Sequence, residues 1–257
     1  MRNMSELKES PIITIERRKA VTIIISAIIV AIALGGGLMK VGSGFAARVT
    51  DGITVTGSAK ASATADNAAW TLSVQQAAPK VANAVTAVGV GINKLTDYLT
   101  TGGIALSSIE LGPVSTYSNA EYINGNATGR ILSYNASRDL TVRTKDVQLV
   151  KRLSQGIGTL LQQGVNVNNN GPQYYISTLP ALRPQLLQDA VKDAKVRAIA
   201  LTAGVGGTVG NVLSVKSGPF QVTTPDSTNT SDVGAYDTST IEKTVTATVS
   251  VTFKTTK

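Results

Sequence analysis

The chain has 257 residues, among them 24 Lys or Arg and 16 Asp or Glu, with no Cys and no His. The two absences exclude disulfides, thiol nucleophiles, Ser-His-Asp triads, histidine acid–base chemistry and the usual zinc sites. The net charge of +8 splits evenly, with seven basic against three acidic residues before Thr50 and 17 against 13 from there on; such a thin excess, without a dense basic cluster and interleaved aromatics, excludes a nucleic-acid face.

Residues 20–39, AVTIIISAIIVAIALGGGLM, carry no charge. Twenty helical residues at about 1.5 Å each match the roughly 30 Å hydrocarbon core of a bilayer. The predicted membrane anchor is built from Ala20, Ile23, Ile24, Ile25, Ile28, Ile29, Val30, Ile32 and Leu34. Thr22 and Ser26 can bond back to their own helix. A buried core helix of this length would show a polar stripe, and this one has none. A cleaved signal has a shorter apolar region, roughly 7 to 15 residues, so the weak cut site Gly44-Phe45-Ala46-Ala47 yields to an uncleaved anchor. Arg17, Arg18 and Lys19 at the membrane edge predict a cytoplasmic tail over residues 1–19. Residues 40–52 then form a linker, and residues 53–257 a periplasmic or extracellular domain.

In that domain Ile53-Thr54-Val55-Thr56 alternates as a strand, and Gly57-Ser58-Ala59 reads as a turn or bulge. Trp70-Thr71-Leu72-Ser73-Val74 resumes the alternation. Pro79 opens a helix whose apolar stripe is Val81, Val85, Val88, Ile92, Leu95 and Leu99, closed by Gly102-Gly103. Residues 104–117 and 131–143 predict a hairpin with a polar loop over 118–129. A second helix runs from about Lys145, with Val147, Val150, Leu153, Ile157 and Leu160 on one face. Residues 166–171 are turn-rich, and a strand follows near Tyr174. The third helix runs from about Pro180 or Ala181 to Ala203, with Gly204 just past its end, Leu182, Leu186, Ala190, Ala194 and Leu201 buried and an Asp193–Arg197 pair on its exposed side. A strand over 209–215, a long polar loop over 217–239 and the alternating stretch from Val245 to Phe253 complete the chain.

This order predicts an α+β fold: an N-terminal transmembrane helix, then antiparallel sheet with about three packed helices, built from two βαβ-like halves. The ITVTGSAKASA entry and the VTATVSVTF exit are expected to be neighbours in one sheet. Ile53-Thr54-Val55-Thr56-Gly57 with Ala65-Asp66, then Gly102 and Ile104, resembles the opening of SIMPL-domain proteins. The run Asp189-Ala190-Val191-Lys192-Asp193-Ala194-Lys195 leading to Ala203-Gly204-Val205 resembles that family's A-x-x-D-A-K-x-K-A helix and A-G-V exit. Val209-Gly210-Asn211-Val212 and the closing strand match it too. The resemblance, over residues 53–253, implies a YggE-like, oxidative-stress-associated envelope protein, some of whose relatives form ring-like homo-oligomers. It brings no catalytic residues with it.

Of the site candidates, Asp66 reads as a turn or cap residue. Glu110, Glu121 and Asp139 are weighed as a convergent acid or metal group and disfavoured for want of His or Cys support. The glycines at 204, 206, 207 and 210 follow a helix and enter a strand, the reverse of a phosphate cradle. Asn126, Asn135 and Asn229 open glycosylation sequons. The loop over 217–239 is expected to order on subunit contact. Catalytic, cofactor and metal residues are expected to be none. Val245, Val249, Val251 and Phe253 are the predicted subunit-contact residues, on a strand whose Thr face offers a pairing surface. The expected role is a non-enzymatic, membrane-anchored envelope protein with the lipid bilayer and itself as partners; the alternatives are a monomeric binding module or chaperone, and a carboxylate hydrolase.

Overall fold

The computed structural model describes residues 30–32, 52–228 and 231–256. Apart from residues 30–32, which are helical and exposed, the predicted tail, anchor and linker lie outside the described residues up to Gly52. Among the described residues no helix is long and apolar enough to cross a membrane. Residues 53–257 form one compact unit. It is α+β, with four α-helices and two five-stranded sheets among its described residues.

The first sheet contains β1 (Gly52–Thr64), β7 (Thr208–Ser217), β8 (Gln221–Thr223), β9 (Ala235–Tyr236) and β10 (Glu242–Thr256). β10 is its hub. It pairs with β1 on one side and with β7 and β8 on the other, so the two ends of the domain are neighbours as expected. Thr54 and Thr252 hydroxyls meet at 2.9 Å, and the Thr64 hydroxyl donates to Glu242 at 2.9 Å at the opposite end, which makes β1 and β10 antiparallel. The second sheet contains β2 (Asn67–Ala78), β3 (Ile109–Ile123), β4 (Asn126–Thr144), β5 (Val167–Asn169) and β6 (Gln173–Tyr175). Its pairings are antiparallel; β8 and β9 form a parallel pair in the first sheet.

β2 alternates Ala68, Trp70, Leu72 and Val74, all buried, with residues facing the other way. Trp70 and Leu72 lie opposite Val142 and Leu140 of β4. Helix α1 (Val81–Thr101) covers this face with Ala84, Val88, Gly91, Ile92, Leu95 and Leu99. Val81 and Val85, expected in the stripe, are exposed. The contact face starts one position before Val85, at Ala84, because Gly91 sets the helix close to β2: a Cβ there would stand 2.7 Å from Val74. Each fully buried Trp or Leu in this core contributes about 1.5–3 kcal/mol.

The predicted second helix is two. α2 (Val147–Gly156) is capped by Asp146, whose carboxylate accepts from the Leu149 amide at 2.9 Å. α3 is Gly158–Gln162. The Tyr98 hydroxyl donates to the Leu153 carbonyl at 2.8 Å, an acceptor that a continuous helix would keep for residue 157. The predicted buried residues of both helices are nonetheless buried.

Helix α4 (Leu179–Ala203) packs on the first sheet through Ala190, Ala194 and Ala198, against Val55, Val249, Val251 and Phe253. Leu201, expected inside, is exposed, and Thr202 is buried in its place with its hydroxyl donating to the Ala198 carbonyl at 2.8 Å. β1 does not turn at Gly57. A Cβ on Gly57 would lie 2.1 Å from the Ala190 carbonyl oxygen, so the glycine permits helix and strand to touch backbone to backbone. Asp193 spans the same contact, accepting from the Ser58 amide and from Arg197, both at 2.8 Å.

Of the two predicted loops the first is largely strand, while the second is mostly loop with two short strands. Residues 118–129 belong to a β3–β4 hairpin that turns at Asn124-Gly125, with φ of 51° and 81°. The stretch 217–239 carries β8 and β9 and is tied into its own chain. The Asp237 amide donates to the Val222 carbonyl, the Tyr174 amide to the Thr238 carbonyl, each at 2.8 Å, and the Ile176 amide to the Tyr236 hydroxyl, also at 2.8 Å.

Candidate interaction surfaces

The predicted subunit-contact residues are interior. Val245, Val249, Val251 and Phe253 are at most 2% exposed and pack in the cores of their own chain. Strand alternation that points them at α4 leaves Thr244, Thr246, Thr248, Ser250 and Thr252 on the outer face.

The carboxylates do not converge. Glu110 and Glu121 stand eleven positions apart on β3, roughly 35 Å at strand rise. Glu121 pairs with Arg130 at 3.3 Å and Glu110 with Arg143 at 3.9 Å, both near the surface. Asp139 lies opposite Ser73 on β4, and Glu242 opens β10 in the other sheet. Among the described residues no three His, Cys, Asp or Glu side chains gather as metal ligands. Gly204 caps α4, and Gly206 takes φ of 72° in the turn into β7. Asn126 is exposed at the start of β4, Asn135 is half-buried within it, and Asn229 lies outside the described residues.

Two acidic residues act as structural clamps. Asp66, in the turn between β1 and β2, accepts from the Ser177 hydroxyl, from the Ser177 amide at 2.7 Å and from Asn67 at 3.2 Å. The Ser177 hydroxyl first, and its amide second, hold the Asp66 carboxyl below its ordinary value. Asp237 meets Lys243, whose side chain is fully buried; Lys243 Nζ donates to the Asp237 carbonyl oxygen at 2.7 Å and to its carboxylate at 3.4 Å. Burial pulls the Lys243 ammonium below its usual range, and the Asp237 charge only partly restores it. Burial pushes Asp237 up, but hydrogen bonds from Ser239 and the Lys243 charge outweigh it and leave the carboxyl low.

What the surface does offer is uncovered apolar area in two places. β2 reaches only as far as the Ala78–Tyr134 pair, whereas β3 and β4 pair onward to Ile123–Asn126. The outer hairpin is therefore a two-stranded arm. It exposes Tyr122, Ile123, Ile131 and Leu132, each by 40% or more. A lone two-stranded hairpin is marginal in water, and clustered exposed apolar side chains mark contact sites. The second place is β7, which among the described residues pairs only with β10. Its Val215 and Val212 lie opposite the buried Val251 and Phe253, yet are about half exposed because α4 does not cover them. Leu201 and Val205 extend the shelf from the end of α4. The polar sequence of the arm concealed the first surface; the Asn-Gly pair was the available signal.

These features define an α+β domain whose distinctive features are uncovered apolar areas and acidic clamps. The SIMPL family profile, described as a protein of unknown function (DUF541), matches residues 53–253. The chain belongs to the SIMPL family. Comparison with curated proteins finds no match.

Proposed function

We propose that this is a non-enzymatic, membrane-anchored cell-envelope protein whose exported SIMPL domain self-assembles into a ring- or cage-like homo-oligomer, in the service of stress defence. The observation that carries the reading is the pair of unlike apolar surfaces on one chain, the β3–β4 arm and the β7 edge with its Val212 and Val215 shelf. A contact between two different patches is head-to-tail, and such contacts close into rings when the rotation permits. An unpaired edge strand offers a row of free backbone groups to the incoming chain. The charge-free residues 20–39 and the basic Arg17, Arg18 and Lys19 support the anchor and a cytoplasmic N-terminus. The separation of Glu121 and Glu242 from Glu110 and Asp139, and the pairing of Glu110 with Arg143, support a role without catalysis.

Native mass spectrometry of the full-length chain in detergent tests this. A discrete large particle is expected, converted to monomer by Ile123→Glu on the arm or by Leu213→Glu on the edge. A wild-type protein that is monomeric at micromolar concentration overturns the proposal.

A further inference from the structure

The end of the first sheet at which the chain enters the domain carries a small apolar knob. β1 begins at Gly52, two residues before Thr54, whose hydroxyl meets that of Thr252. β10 runs the opposite way and continues to Thr256, whose hydroxyl meets that of Thr208 at the start of β7 at 2.8 Å. Gly52 is therefore level with Lys254, and the turn from α4 into β7 reaches past it by roughly two strand positions, about 7 Å. That turn is Gly204-Val205-Gly206-Gly207, in which Val205 is the one side chain and is 84% exposed. Leu201, also exposed, stands one helical turn behind it.

The backbone of the knob is already satisfied. The Gly204 amide donates to the Ala200 carbonyl, Val205 and Gly207 to Thr202, and Gly206 to Ala203, at 2.9 to 3.3 Å. A tip that is to leave water needs this, because an amide without a partner is costly in an apolar medium. The charge around it has one sign. From Ala194 to Gly218 the sequence holds Lys195, Arg197 and Lys216 but no Asp or Glu. Lys254, level with the start of β1, is exposed and forms no ion pair among the described residues.

Two large side chains fall short of the roughly 800 Å² per partner that a stable protein contact buries. An apolar tip with basic neighbours is instead what the headgroup boundary of an anionic bilayer accepts. The chain entering at this end supplies the proximity. Residues 40–51 separate the charge-free residues 20–39 from β1, and twelve extended residues span at most about 43 Å. We propose that the α4–β7 turn is a lipid-contacting tip: Val205 and Leu201 enter the headgroup boundary of the bilayer that holds the anchor, and Lys254 meets its anionic phosphates. This rests on the anchored part of the function proposed above, and it leaves Val212 and Val215 to contacts between copies.

The absence of native Cys makes the test clean. The full-length chain carries an environment-sensitive fluorophore at Val205→Cys or, for comparison, at Ser62→Cys, which is exposed ten residues along β1 from Gly52. Each is reconstituted into phosphatidylcholine–phosphatidylglycerol vesicles whose acyl chains bear a nitroxide quencher. The label at Val205 should lose emission and the label at Ser62 should keep it. Leu201→Glu and Lys254→Glu, both at exposed positions, should each restore emission at Val205 with the thermal midpoint preserved. Vesicle flotation without quenching at Val205 overturns this proposal alone, as does equal quenching at both sites or quenching untouched by both substitutions. A chain that does not float with the vesicles overturns the anchored reading and this one with it.

Discussion

Gly57→Ala examines the backbone contact between β1 and α4. The added methyl would stand 2.1 Å from the Ala190 carbonyl oxygen, 2.5 Å from the Ala194 amide nitrogen and 2.7 Å from the Ala194 methyl, where ordinary contact begins at 3.4 Å. The helix must lift by about 1 Å. A gap of that size forfeits a quarter to a half of each dispersion contact along the seam. That seam is Ala190, Ala194 and Ala198 against Val55, Val249, Val251 and Phe253, and the Ser58–Asp193 hydrogen bond crosses it. Overpacking of this kind costs about 1–3 kcal/mol, and the clash with backbone on both sides argues for the upper half. Against it stands about 0.4–1 kcal/mol from reduced freedom of the unfolded chain. The clash wins. For a domain of this size each kcal/mol moves the midpoint by about 2–4 °C, so the variant should melt about 2–10 °C lower. Thermal circular dichroism of the full-length protein measures this directly, and a variant melting at or above wild type would refute the close-contact argument.

Gly89→Ala is the counterpart. Nothing lies within 4 Å of the added methyl in the helix interior, so stability should rise by about 0.5–1 kcal/mol in a denaturant titration, and a loss would contradict the open site. Asp66→Asn should cost about 1–3 kcal/mol at neutral pH by weakening the Ser177 clamp. Because the folded state holds the Asp66 carboxyl low, its stabilisation is complete above the ordinary carboxylate value of 3.8 and fades as pH falls through the lower folded value. The difference between wild type and variant should therefore shrink on acidification; a constant gap argues against the charge. Lys243→Met strips the partner from Asp237, and with that carboxylate partly open to water the loss should be about 1–3 kcal/mol, at or below the usual range for broken buried pairs. Equal urea midpoints would show that burial of the ammonium cancels the pair.

Legibility followed locality and contrast. The pairing of β1 with β10 was readable because both stretches alternate cleanly, with Thr on one side and Val or Ala on the other. The buried residues of α2 and α3 were readable from their three- and four-residue steps, but the break between them comes from Tyr98, on another helix. α4 was harder. Its buried side is largely alanine while Val196, Ile199 and Leu201 lie outside, so side-chain size pointed the wrong way for Leu201. Gly57 looked like a turn because its reason lies in the distant Ala190 and Ala194. The arm looked like a loop because strands with both faces wet lose the alternation that identifies a half-buried sheet. β8 and β9 are three and two residues long, below what any period can register.

The hub position of β10 also bears on how the chain comes into being. Residues 67–175 hold the whole second sheet as one uninterrupted run, so that part can form from comparatively near neighbours as soon as it is made. The first sheet cannot, for its opening strand meets its closing strand across separations of 178 and 198 residues. Pairings so remote are slow to nucleate. Until Glu242–Thr256 leave the ribosome, β1, β7 and β8 have no hub.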